Sequence, residues 1–355
     1  MQQTKVLIEF VKAAVLDESP TISKDVSIDW DALMDQASDQ NVLAWVWDGV
    51  CKLADGQKPP RNSAISWGLT AQEAWNDYAC QLSVLEKIVG ICNQNQMRVL
   101  LLKGLSLSSL FPSPKSRSSS DIDIYLFDDY EKGNRLLSDS HAKGAGKHAL
   151  LHIDGVLIEN HNNFLEPNTA QKRKIIDYIK SSLNDVRLTP YGYYVLSPLA
   201  NCLFLTFHTS KHFMQKTIFP LRNIVDFAMY MKTSRDQGDL SPNDCKSLMR
   251  QMGMEKCFAM LVFLSQEILG IDLSEYYCTD LPQNDKVCIK ELLLDESVID
   301  SMSPFKKCKY VKCVKRYMPR NLSVQQIVIG KMSRYLRWIF RVPKGVSLHA
   351  FLRRK

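Results

Sequence analysis

The chain has 355 residues, with 45 Lys or Arg against 38 Asp or Glu and a hydrophobic content of 45%. That length suits two or three structural units with substantial cores, and the composition excludes a disordered or fibrous chain. No apolar run approaches the roughly 20 residues of a membrane-spanning helix, residues 258–264 being the best candidate.

The first eighteen residues carry Glu9, Asp17 and Glu18 within an amphipathic helical pattern, so they do not read as a secretory signal. Residues 4–95 are expected to be helical throughout, from the spacing of apolar residues in VLIEFVKAAVL, WDALMDQASDQNVLAWVWDGV and AWNDYACQLSVLEKIVGICNQ. Between the last two, ADGQKPPRNS reads as a loop by its Gly and Pro content. Trp30, Trp45, Trp47 and Trp75 fall on these helices as core residues. Cys51, Cys80, Cys92, Cys202 and Cys257 sit in the same kind of apolar pattern without paired spacing, as buried thiols of a reducing, cytoplasmic compartment do.

At Met97 the period changes. RVLLLKG predicts a short buried strand that ends in a tight turn at Lys103 and Gly104 and enters a short helix, LSLSSLF. DIDIYLF alternates and predicts a second strand. In HALLHIDGVLIENH, Asp154 and Gly155 are the pair favoured by a two-residue hairpin turn. RKIIDYIKSSL predicts a helix and VRLTPYGYYVL a further strand or hairpin. Helices resume from about Leu199, with Arg222 and Asp226 spaced as an ion pair within one of them. From Ser301 to Lys355 there are fifteen Lys or Arg and no Asp or Glu. Such a tail either attracts a polyanion, such as nucleic acid or an acidic lipid surface, or packs on the acidic body of its own chain. Within it Cys308 and Cys313 have the wrong gap for a zinc knuckle.

The chemistry concentrates in residues 117–126, RSSSDIDIYL. Side chains alternate along a strand, so Asp121 and Asp123 share a face with Cα atoms about 6.6 Å apart. Their mutual repulsion becomes useful if they hold Mg²⁺, which takes oxygen ligands and is commonly bound by one or two carboxylates plus substrate phosphates. Glu159, on the returning strand of the hairpin, is the third expected ligand. His161 on the same face can donate to Glu159 or to a substrate.

The order of these features resembles the polymerase β type nucleotidyltransferase superfamily. More narrowly, it resembles a bacterial family of uncharacterised nucleotidyltransferases, on Lys103 and Gly104, an arginine at 117, the aspartates at 121 and 123, and an acid followed by histidine at Glu159 and His161. The resemblance extends over about residues 29–231. It implies two Mg²⁺ ions on Asp121, Asp123 and Glu159, and an NTP whose phosphates meet Lys103, Gly104, Ser106 and Arg117. His208, Lys211 and His212 lie on one face of a later helix, expected to close near the phosphates; polar packing of that helix is the other reading of their spacing.

The expected architecture is α+β and mostly helical: an N-terminal helical region (1–95), a small mixed-sheet nucleotidyltransferase core (96–198), a C-terminal helical region (199–300) and a basic helical tail (301–355). The expected activity is Mg²⁺-dependent transfer of a nucleoside monophosphate from an NTP to an unidentified hydroxyl acceptor, a small molecule, an RNA or a protein. The rival reading is a catalytically silent module of the same fold that binds a polyanion through its tail.

Overall fold

A computed structural model describes residues 2–23, 25–137, 148–216, 221–290 and 317. Helix α1 (Gln2–Val15) buries Val6, Leu7, Phe10, Val11 and Ala14, which recur at helical spacing. The carboxylate of Asp29 starts α2 (Trp30–Asp39) by accepting from the Ala32 N–H at 3.1 Å. Helix α3 (Leu43–Cys51) lies so close against α1 that a side chain at Gly49 would collide with the Phe10 backbone carbonyl. The loop read through residue 63 ends earlier than its composition suggests. Helix α4 (Arg61–Gln94) starts directly after Pro60, because a proline restricts the residue before it and not those after.

Trp45 is buried, while Trp30, Trp47 and Trp75 are partly buried against the same apolar cluster. Two of the cysteines differ from expectation. Cys51 and Cys80 are exposed, whereas Cys92, Cys202 and Cys257 are buried. Cys80 lies on α4 off the face that buries Trp67, Ala71, Gln81, Val84, Leu85 and Ile88.

The sheet contains β1 (Leu100–Leu101), β2 (Ile122–Tyr125), β3 (His148–Ile153), β4 (Val156–His161), β5 (Arg187–Leu188) and β6 (Tyr194–Val195) in the order β3-β4-β2-β1-β6-β5. Helix α5 (Tyr130–Leu136) follows β2, and α6 (Ala170–Ser181) follows β4. Strands β2 and β4 are parallel, as are β1 and β6, while the other neighbours are antiparallel. Asp154 and Gly155 turn the β3–β4 hairpin with φ of 50° and 80°, as their sequence predicts.

The helical half comprises α7 (Pro198–Lys216), α8 (Leu221–Asp236), α9 (Pro242–Gln251), α10 (Glu255–Leu269) and α11 (Gln283–Lys290). In α10, Phe258, Ala259, Met260, Leu261, Val262 and Leu264 are fully buried, each of the larger ones contributing roughly 1.5–3 kcal/mol relative to exposure. One apolar cluster runs from Val6 in α1 to Phe258 in α10, so helices from the two ends of the described chain share a core. A second joins Val84, Leu85 and Ile88 of α4 to Ile122, Ile124 and Ile158 of the sheet. The protein is thus mostly helical α+β, with a six-stranded mixed sheet among the described residues. No described helix is long and apolar enough to cross a membrane. The basic segment 301–355 falls outside the described residues apart from Tyr317, whose hydroxyl donates to Asp285.

Candidate functional site

The parallel pairing of β2 with β4 places Asp123 beside Glu159 and Tyr125 beside His161. Asp121, one residue before β2, shares the face of Asp123 by strand alternation. As a result, oxygen atoms of Asp121, Asp123 and Glu159 lie within 4.8 Å of one another. Asp123 is buried, while Asp121 and Glu159 are half-buried.

Cations and histidines surround this acidic trio. Lys103 Nζ donates to Asp123 Oδ2 at 2.5 Å, and His161 Nε2 lies 2.8 Å from the other oxygen of the same carboxylate. Glu159 sits between two imidazoles, with His161 Nε2 3.5 Å from one oxygen and His148 Nε2 3.6 Å from the other. Burial alone pushes the Asp123 carboxyl up, but Lys103 and His161 outweigh it and hold the group well below the ordinary carboxylate range. The His161 contact likewise lowers Glu159 against burial and the Asp123 charge. Asp121 goes the other way: burial first and Asp123 second raise it, and Lys103 offsets only part of that. Burial also disfavours the Lys103 charge, yet Asp123 and Asp121 together raise its pKa.

The turn after β1 brings backbone into this crowd. Gly104 has φ of +58°, and a Cβ there would stand 3.1 Å from Ser119 Oγ and 3.8 Å from Asp123 Oδ2. A seven-residue 3₁₀ helix, Gly104–Leu110, follows in place of an α-helix. The Ser106 hydroxyl donates to the Lys103 carbonyl at 3.2 Å, within the turn itself.

Arg117 differs from the expected free phosphate contact. Its Nε and Nη2 donate to the two oxygens of Asp226 in α8 at 3.1 and 2.6 Å, and its Nη1 reaches the Ser118 carbonyl at 3.3 Å. Asp226 is therefore not paired within its own helix with Arg222, as the spacing suggested. The i,i+4 rule describes isolated helices, and here a bidentate partner from the loop wins. Arg222 instead donates from Nη1 to the Ser118 carbonyl at 3.2 Å and carries a buried Nε without a hydrogen-bond partner. Burial and the Arg117 charge lower its pKa, while Asp226 and Asp121 support its charge. The two arginines thus hold one loop carbonyl from both sides, just upstream of the aspartates.

On the far side of Asp123, Lys103 and His161 line a cleft with Phe164, Phe204, His208 and Lys211. Among the expected contacts from α7, His208 and Lys211 therefore share a cavity with Lys103. The side chain of His212 lies outside the described residues.

A family model described as an uncharacterised nucleotidyltransferase matches residues 26–270. The chain belongs to that family. Comparison with curated proteins and with solved structures gives no match.

Within this family member, the residues that the sequence pointed to and the structure brings together are Asp121, Asp123, Glu159, Lys103 and His161. Sequence reasoning missed His148 and the position of Arg222. A signal for the first was present: counting outward from the Asp154–Gly155 turn pairs His148 with His161, as observed. No comparable signal existed for Arg222, whose place depends on how α8 packs against a loop a hundred residues upstream. The donor set suits a hard divalent cation, because it consists of carboxylate oxygens and the residual repulsion is visible in the raised pKa of Asp121.

Proposed function

We propose that the protein transfers a nucleoside monophosphate from an NTP to an acceptor hydroxyl and releases pyrophosphate, with Asp121, Asp123 and Glu159 holding two Mg²⁺ ions. The observation that carries this reading is the convergence of these three carboxylates on one sheet face beside Lys103 and Arg222, in a chain of the nucleotidyltransferase family.

Three carboxylates face two nearby cations, a balance that leaves room for divalent ions and a polyphosphate. When bound, Mg²⁺ supplies charge neutralisation at the phosphates and orients them. The chain's own residues do the rest. Lys103, anchored on Asp123, neutralises phosphate oxygens as charge develops on the leaving pyrophosphate, with His208 and Lys211 along the same cleft. Arg222, next to Asp121 and with one nitrogen unsatisfied, adds a second positive contact at the loop. Arg117 positions rather than binds, because Asp226 and Ser118 engage its guanidinium. Gly104 keeps the turn low enough for phosphates to approach Asp123. Catalysis in this arrangement is in-line positioning plus electrostatics, with no covalent intermediate required of the protein.

The test is pyrophosphate release from each NTP in the presence of Mg²⁺ and a cell extract as the source of acceptor. Asp121→Asn and Asp123→Asn should lower the rate by at least about 10²-fold. Equal release from wild type and both variants would overturn the enzyme reading and leave a nucleotide-binding module.

A further inference from the structure

The β3–β4 hairpin carries a second set of donors with a different chemical character. His148 and His161 are cross-strand partners, and Glu159 lies two residues before His161 on the same face. One ligand atom from each of the three lies within 4.8 Å of the others. The Glu159 carboxylate bridges the pair, with 3.6 Å from Oε1 to His148 Nε2 and 3.5 Å from Oε2 to His161 Nε2. The rings themselves stand 5.4 Å apart, centroid to centroid, inclined at 49°.

Those spacings are close to what a metal imposes. Ligand atoms around a four-coordinate zinc-type ion, at about 2.0–2.2 Å from the metal, stand roughly 3.3–3.5 Å from one another. Two imidazoles and a carboxylate are also the wrong set for Mg²⁺, which takes oxygen ligands, and a common set for borderline ions such as Zn²⁺ and Co²⁺. We propose that His148, Glu159 and His161 bind a divalent transition ion of the zinc type, at a site distinct in chemistry from the carboxylate trio and joined to it through Glu159.

The fold supports such a site in two ways. The hairpin fixes all three Cα positions through a two-residue turn and a continuous antiparallel ladder, so no loop must order itself for the ligands to meet. Strand β3 is the edge of the sheet and His148 is half-buried, which gives an ion access from outside, while His161 is buried on the inner strand. Binding replaces the contact between His161 Nε2 and Asp123 Oδ1, since a nitrogen that donates a proton to a carboxylate must release it to bind a metal. Asp123 Oδ1, 2.8 Å from that nitrogen, then adjoins the new ion. Because Glu159 belongs to both groups, a tightly held transition ion on the hairpin would withdraw or bridge one ligand of the Mg²⁺ centre.

The experiment is titration of the full-length chain with Co²⁺ in excess Mg²⁺ and without nucleotide, read by visible absorption and by displacement with Zn²⁺. The expected result is one equivalent of Co²⁺ with the spectrum of a nitrogen-ligated centre. His148→Ala and His148→Gln, checked for native circular dichroism, should each weaken binding by at least about tenfold, since even a residue behind a metal ligand is worth that much. Asp121→Asn, which alters only the carboxylate trio, should retain the spectrum. Absence of uptake by the wild type overturns the proposal, as does unchanged affinity in both His148 variants. The readout needs no acceptor and no transfer activity, so failure of the nucleotidyltransferase reading would leave it standing and be recognised separately.

Discussion

The two faces of strand β2 obey opposite rules. On one, Ile122 and Ile124 pack with Ile158 and Leu151 against the second half of α4 in a buried apolar cluster, interrupted by the buried amide of Asn160 beside Ile124. On the other, Asp121 and Asp123 meet Glu159, Lys103 and two histidines, and the group is stable only through a chain of charge compensations. The apolar face stabilises the fold without depending on pH or solutes. The charged face stores a cost, seen in the raised Asp121 carboxyl, that a bound cation would relieve. A rigid hydrophobic floor under a frustrated polar roof is what a preorganised charge-handling site requires.

Four substitutions separate these contributions, from the largest effect to the smallest. Breaking the buried Arg117–Asp226 pair with Asp226→Asn leaves a guanidinium without its counter-charge and should cost about 3–5 kcal/mol in chemical denaturation. A cost under about 1 kcal/mol would mean the loop can satisfy Arg117 elsewhere. On the floor, Ile158→Ala at a fully buried position should cost about 2–5 kcal/mol and leave Mg²⁺ affinity unchanged. Coupled loss of Mg²⁺ binding would show that the two faces do not act separately.

At the turn, Gly104→Ala imposes a left-handed conformation on a side chain and crowds Ser119, for about 1–2 kcal/mol. It should also reduce nucleotide affinity in equilibrium binding, because the added methyl points toward Asp123. The smallest effect has the opposite sign. The Asp121 pKa is raised in the folded protein, so the fold gains from its protonation at acid pH and is penalised once pH rises through the folded value. Asp121→Asn should therefore raise the melting temperature of the metal-free protein at neutral pH, with the gain shrinking as pH falls through the carboxylate range. Mg²⁺ should raise the melting temperature of the wild type and raise that of the same variant less, checked by thermal denaturation with and without the ion.

Much of the charged face was legible in the residue order. Strand alternation placed Asp121 and Asp123 together, and the hairpin turn carried Glu159 and His161 back beside them, because both follow from local periodicity. The register between β2 and β4 was not legible, since these strands are parallel and joined through α5 and a long segment, with no turn to count from. Arg117 shows the second limit. Its basic character and position before the aspartates implied a phosphate contact, whereas its real partner lies in α8 and is fixed by tertiary packing. In the same way α4 could be recognised as a helix by its apolar spacing. Cys80 was nonetheless misplaced, because it is an apolar residue next to the buried Gln81 but off the helix face that packs at Trp67, Ala71 and Val84.

The link between Arg117 and Asp226 spans 109 residues of chain. A polypeptide emerging from the ribosome therefore exposes all three carboxylates of the trio well before the residue that braces their loop. Until α8 has been synthesised and docked, the entry to β2 is held only from α4, through Gln81 to the Ser119 carbonyl and Trp75 to Ser116, so the full bracing of the acidic site belongs to the late stage of folding. A fragment ending near residue 200 would contain every carboxylate and the strands that align them, but not the partner that fixes Arg117.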